Sequence, residues 1–244
     1  MVALRLRAKQ WFLGSVKFFG LEHRTLAFPQ FKFNIFSTGG VDGVLNSMVE
    51  KLEGIPRVFV DLGANDPIVG SNSALWIERG WEALLVEAYP PAFESLQDVY
   101  RNHPKVVLSD LAVSADKAAT ETQINWHGHF ENLSVPARWV NHILQLSPDE
   151  KIGILKVDLD GMDDEVLAAL DFELFRPWVV VAEIDSSSKE NLDRQLNIMW
   201  THGYVCVLHI GNVFYVARER IASYLYQSRQ APMRHREVLT RRNG

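Results

Sequence analysis

The stretch Arg57-Val-Phe-Val-Asp-Leu-Gly-Ala-Asn-Asp66 decides the fold. Its short apolar run, bounded by Gly54-Ile-Pro56 before and Gly63 after, reads as a buried strand of a parallel sheet. A second apolar run, Leu84-Leu-Val-Glu87, repeats the pattern of a strand that ends in an acid. Two such strands, the first closing on Asp-x-Gly-Ala-Asn, describe a pocket for a nucleoside-bearing cofactor at the mouth of the sheet.

Working outward, residues 71–79 read as a helix capped by Ser71 or Ser73 and stopped by Gly80, and residues 81–87 as the second strand. A proline-opened helix over 91–102 and a third strand over 105–109 follow. The irregular section 116–150 holds one expected strand, 122–126, and one expected helix, 137–146. A fourth strand (152–157), a helix (163–170), a fifth strand (178–184) and a helix (188–202) continue the alternation. The last two strands, 204–209 and 213–217, are joined by Gly211-Asn212, too short a link for a crossover helix, so they form an antiparallel hairpin. The expected fold is α/β, a Rossmann-like, mostly parallel sheet with a C-terminal antiparallel hairpin.

At 244 residues with 47% hydrophobic content, the chain suits one α/β core. We expect a single domain: an N-terminal helical and aromatic extension (1–56), the core (57–217) and a basic tail (218–244). In the extension, Leu4, Ala8, Phe12, Val16 and Phe19 share a helical face, suiting packing on the domain or over its site, with a membrane-surface or targeting role as the alternative. The formal charge of −5 argues against a specific nucleic-acid partner, although both ends are basic and the middle acidic. Cys206 is the only cysteine, which excludes an internal disulfide and suggests a reducing, cytoplasmic setting. No apolar run reaches the roughly 20 residues of a transmembrane helix.

Ligands of an open parallel sheet collect beyond the carboxyl ends of its strands, and Asp61, Glu87, Asp110, Asp158, Asp160, Glu183 and Asp185 all fall at or just past such ends. Gly63 would let the backbone approach a ligand, Asn65 offers donors and acceptors to a zwitterion, and Glu87 is placed to accept from two ribose hydroxyls. A dinucleotide site would prefer Gly-x-Gly-x-x-Gly around its pyrophosphate. Here Asn65 replaces the second glycine and Asp66 follows, so a pyrophosphate would meet a carboxylate. A cofactor carrying a sulfonium and an amino group suits the loop better.

These residues resemble the FkbM-type methyltransferases, a family of class I S-adenosylmethionine-dependent methyltransferases. The likeness spans roughly residues 57–216: Val60-Asp-Leu-Gly-Ala-Asn65, Ser71-Asn-Ser73, Gly80-Trp81, Leu85-Val-Glu87 with Pro90 and Phe93, Ala112-Val-Ser114, Leu155-Lys-Val-Asp-Leu-Asp-Gly161 with Glu165-Val-Leu167, and Val181-Ala-Glu183. The resemblance implies a seven-stranded sheet with an antiparallel last strand. It places Asp61, Gly63 and Asn65 around the methionine part, Glu87 at the ribose, and Asp110 with its following backbone at the adenine. It implies O-methylation of a small-molecule, sugar or natural-product hydroxyl. The chain departs from the family pattern at Pro67, Ala88 and Asp160, where the family usually has Gly, Pro and Glu.

Transfer to a hydroxyl requires in-line approach and removal of a proton. Lys156, Asp158 and Asp160 alternate on the fourth strand, so Asp158 or Asp160 could act as base, unless Lys156 merely neutralises Asp158. Alternatively Asp160 with Glu183 and Asp185 could hold a hard divalent cation such as Mg²⁺ that acidifies the hydroxyl. His127 and His129, in Trp126-His-Gly-His-Phe130, are further candidates as base or metal ligand, and His209 is a rim candidate. Two other readings stay open: a nicotinamide-type oxidoreductase, which the missing glycine fingerprint disfavours, and a non-catalytic scaffold on the same fold.

Overall fold

The computed structural model describes residues 34–124, 133–184 and 189–226. The expected N-terminal helix, most of the aromatic stretch 28–36, His127, His129, Asp185 and the tail beyond residue 226 lie outside the described residues.

In chain order the elements are α1 (Val41–Val49), β1 (Val58–Leu62), α2 (Ala74–Glu78), β2 (Glu82–Val86), α3 (Pro90–Tyr100), β3 (Val106–Ser109), β4 (Ala112–Ser114), β5 (Glu121–Ile124), β6 (Leu133–Trp139), α4 (Val140–Leu144), β7 (Ile154–Val157), α5 (Asp163–Ala169), β8 (Val179–Glu183), α6 (Lys189–Thr201), β9 (Tyr204–His209) and β10 (Asn212–Ala217). A short 3-10 turn, Arg218–Arg220, follows. Seven strands form one sheet in the order β3-β2-β1-β7-β8-β10-β9. β1 pairs parallel with β2 and β7, while β10 runs antiparallel to both β8 and β9. The expected terminal hairpin is present, with its second strand inserted between β8 and the first.

Alternation along the central strands sorts their side chains to two faces. Val58, Val60, Leu62, Leu155, Val157 and Val180 meet α4, α5 and α6 through Ile143, Leu167 and Met199. Phe59, Ile154, Val179 and Val181 meet α1 and α2 through Leu45, Met48 and Trp76. Continuing that second face toward the strand ends, the pattern turns polar at Asp61, Lys156 and Glu183, with Asp158 one residue past β7. The sheet thus buries oil along most of its length and presents charge at one end. At the other end β7 is entered through Gly153, where a Cβ would lie 1.9 Å from the Pro56 carbonyl oxygen.

The section 116–150 differs from expectation. Residues 137–139 belong to β6, not to a helix, and α4 covers only Val140–Leu144. Leu133, Val135, Ala137 and Trp139 recur at strand period, and β6 is held between β4, parallel to it, and β5, antiparallel to it. The apolar residues at helical spacing, Val140, Ile143 and Leu144, fall in α4. β4, which the sequence reading passed over, completes this second, three-stranded sheet. Helix α2 is also shorter than expected; Ser71 rather than Ser73 supplies its capping oxygen, accepting from the Ala74 amide at 3.1 Å.

Candidate cofactor and acceptor site

A cavity of about 530 Å³ opens at the carboxyl ends of β1, β2, β7 and β8. Its walls include Gly63, Asn65 and Asp66 after β1, Glu87 and Tyr89 after β2, Leu111 to Val113 at β4, Gln123 and Ile124 of β5, Asp158 and Asp160 after β7, and Glu183 of β8. Thr38 and Gly70 close one side. They are brought together by the bridge between Ser37 and Gly70, in which the Gly70 amide donates to the Phe36 carbonyl at 2.8 Å.

The β1 loop owes its shape to two backbone features. Gly63 has φ +86°, and a Cβ there would lie 1.9 Å from the Asp158 carbonyl oxygen. The close approach that requires glycine is therefore that of the loop after β7, although Gly63 also lines the cavity. Asn65 adopts φ +50°, a left-handed conformation that asparagine tolerates better than most residues. In this conformation its amide donates to Glu87 Oε2 at 2.8 Å, while the Tyr89 amide donates to Oε1 at 2.7 Å. Glu87 is thereby fixed on the cavity wall at the end of β2, and burial raises its pKa despite its backbone donors. Each of its oxygens keeps a lone pair for a further donor.

Asp61 is fully buried, and no group meets hydrogen-bond geometry with either of its oxygens. Burial pushes its carboxyl up to about 7, with the Lys156 charge and the Ser73 hydroxyl opposing the rise. Asp61 does not itself line the cavity, whose wall starts two residues on at Gly63, so its charge would act on a ligand's cation, such as the ammonium of S-adenosylmethionine, from behind that wall. Asp110, expected at the adenine, is exposed and does not line the cavity; the following residues, Leu111 to Val113, do.

The strand ends on the opposite side hold a second set of charges. Lys156, 1% exposed, donates to Asp158 Oδ2 at 2.8 Å and to the Val157 carbonyl at 3.0 Å. Its neutralisation of Asp158, one of the expected alternatives, is what the geometry shows. Glu183, on the adjacent strand, hydrogen-bonds with Asp158; that contact and partial burial raise its carboxyl to about 7. Of the pair, Glu183 is the member without the Lys156 ion pair. Gln195 of α6, 1% exposed, donates to the Glu183 carbonyl at 2.9 Å and accepts from the Tyr215 hydroxyl at 2.9 Å, so the end of β8 is fixed from behind. The sequence reading gave α6 no chemistry, and no spacing could have revealed this contact.

Asp160 lines the cavity at φ +49°, exposed, with Gly161 beside it at φ +101°. The loop is held by Asp163, whose carboxylate accepts from the amides of Leu159 at 3.3 Å and Gly161 at 3.2 Å. Asp160 and Glu183 both reach the cavity, but no group of three potential metal ligands assembles among the described residues. His209 is exposed and stands away from the cavity walls.

Comparison with solved structures finds low-identity likenesses. A putative RNA methyltransferase from Pyrococcus horikoshii is 16% identical, with 75% of this chain and 87% of that chain covered and a TM-score of 0.44. An O-methyltransferase from Bacillus cereus, in complex with S-adenosylhomocysteine, is 13% identical over 85% and 89% of the two chains, with a TM-score of 0.43. Fibrillarin from Aeropyrum pernix, with natively bound S-adenosylmethionine, is 12% identical over 71% and 74%, with a TM-score of 0.41. No curated protein matches the chain. The methyltransferase FkbM domain, in contrast, matches residues 61–206, from the Asp61 that ends β1 to Cys206 in β9. Spanning both the loop after β1 and the charged strand ends, that match shows that the chain belongs to the FkbM family of methyltransferases.

Proposed function

We propose that the protein transfers the methyl group of S-adenosylmethionine to a hydroxyl oxygen of a small polar molecule, with Glu183 receiving the proton. The observation that carries this reading is the Asp158–Glu183 carboxyl pair on the cavity wall, with Lys156 fixing one member. When bound, the cofactor supplies an electrophilic methyl group and leaves as a neutral thioether. Glu87 would accept from the ribose hydroxyls, Asn65 would meet the amino-acid end with the charge of Asp61 behind it, and Leu111 to Val113 would face the base. The acceptor oxygen forms its bond to the methyl carbon as its proton passes to the Glu183 carboxylate. A base whose pKa lies near neutrality suits this task, because it is ionised at working pH yet still takes a proton readily.

The test uses methyl-labelled S-adenosylmethionine, a panel of polyols and a pH series. Glu183 works only when ionised, so kcat should rise with pH through about 7. Glu183→Gln should lower kcat by roughly 100-fold or more and flatten that rise, with S-adenosylhomocysteine affinity kept within about threefold. Fragmentation of the product places the methyl group. A methyl on nitrogen or carbon, or an unaltered pH profile in the variant, would refute the assignment.

A further inference from the structure

The cavity is lined by five carboxyl side chains, Asp66, Glu87, Asp158, Asp160 and Glu183, and by no lysine, arginine or histidine among the described residues. Lys156 does not supply the missing charge, since it is sealed beneath the wall and spends its donors on Asp158 and Val157. Asp66 is occupied in its own turn, where Oδ1 accepts from the amides of Ile68 and Val69. The remaining acids repel one another: Asp160 raises Glu87, and Asp158 raises Glu183. Cofactor binding relieves this only partly, because its sulfonium and ammonium are offset by its own carboxylate.

Three details on the acceptor side point the same way. Asp160 has no hydrogen-bond or ion-pair partner among the described residues, yet it is held at φ +49°, a conformation that costs an aspartate energy and clusters at functional sites. Asn212, on the cavity wall opposite Glu183 in the β8–β10 register, has a buried Oδ1 with no donor. Glu183 itself can only accept once ionised. These groups are acceptors, and the only charged side chains of the described lining that an anionic substrate would meet are of its own sign.

Resting on the methyl-transfer reading above, we propose that the acceptor carries a protonated amine beside the hydroxyl that is methylated, with Asp160 as the carboxylate that holds it. Such a cation would also draw the proton from the Asp158–Glu183 pair, so that binding the substrate ionises the base that serves it.

Matched acceptors on one ring separate the possibilities: glucosamine, glucose and glucuronate, and likewise aminocyclohexanol, cyclohexanediol and hydroxycyclohexanecarboxylate. Methyl transfer to each is measured at low ionic strength beside calorimetric binding of S-adenosylhomocysteine. In at least one set the amine should exceed the neutral member in kcat/KM by about tenfold, chiefly through KM, with the carboxylate poorest. Asp160→Asn should shrink that preference to below about threefold, and Asp160→Glu, which keeps the charge, should retain it. Equal or better turnover of the carboxylate, an undiminished preference in Asp160→Asn, or no turnover of any member by protein that binds S-adenosylhomocysteine would overturn the inference alone. Failure to bind S-adenosylhomocysteine would sink the methyl-transfer reading and this inference with it.

Discussion

A single Cβ at residue 63 would collide with the Asp158 carbonyl and force a left-handed backbone on an alanine, so the loops after β1 and β7 are locked to each other through one glycine. Gly63→Ala should therefore destabilise the fold by about 3 kcal/mol or more, measured by urea unfolding, and weaken cofactor binding in whatever protein remains folded. Asp61 offers a cleaner reading through pH. Burial lifts its carboxyl from 3.8 to about 7, so between those values the folded chain holds a proton that the unfolded chain has released. Its contribution to stability is greatest at low pH and falls as pH rises to about 7. Asp61→Asn should raise the apoprotein's Tm at pH about 8, lose that advantage near pH 4, and bind S-adenosylhomocysteine more weakly. A Tm difference that does not change with pH would contradict this account. Asp61, Asn65 and Glu87 were legible because strand endings and the Asp-x-Gly-Ala-Asn spacing place them. Glu183 was seen only as a metal candidate, since its contact with Asp158 joins residues far apart in sequence on adjacent strands.

Among the elements, the parallel strands and their helices follow from short apolar runs bounded by glycine and proline, and the Gly211-Asn212 link declared the hairpin. The second sheet was not legible: β4 is three residues long, and the apolar run that forms α4 obscures the short period-two alternation of β6 just before it. Nor was the knot before α1. The fully buried Asp42 accepts from the amides of Ile35, Phe36 and Ser37 at 2.9, 2.9 and 3.0 Å, all on Oδ2, while its own amide donates to Ser37 Oγ at 2.9 Å. This knot fixes residues 35–37, and with them the Ser37–Gly70 bridge that brings Thr38 to the cavity. Asp42→Ala leaves three amides without an acceptor, at a cost of about 2–4 kcal/mol. Because Thr38 lines the cavity beside Gly70, the folded variant should also bind its ligands more weakly; unchanged cofactor Kd and acceptor KM would show that the knot serves general stability alone.

Across the whole molecule, the charge distribution and the cofactor bear on one measurement. The sheet gathers Asp61, Glu87, Asp158, Asp160 and Glu183 at one end, and their mutual repulsion is a standing cost of the empty fold. A ligand that brings positive charge to this end lowers that cost as well as making contacts, so its effect should reach the cooperative unfolding of the chain. At a hundredfold excess over Kd, binding alone contributes about 2.7 kcal/mol, which for a chain of this size raises Tm by roughly 5–10 °C. S-adenosylmethionine should give a shift of this size, and S-adenosylhomocysteine, which lacks the sulfonium charge and so binds this acidic end more weakly, a smaller one at equal ligand concentration. NAD, whose pyrophosphate would meet Asp66 and Asp160, should give none. Glu87→Ala should abolish both adenosyl shifts while Asp160→Asn, by easing the repulsion, raises the apoprotein's own Tm. An NAD shift as large as that of S-adenosylmethionine would favour the oxidoreductase reading, and equal shifts for the two sulfur ligands at equal concentration would show that the acidic rim does not sense the methyl-bearing charge.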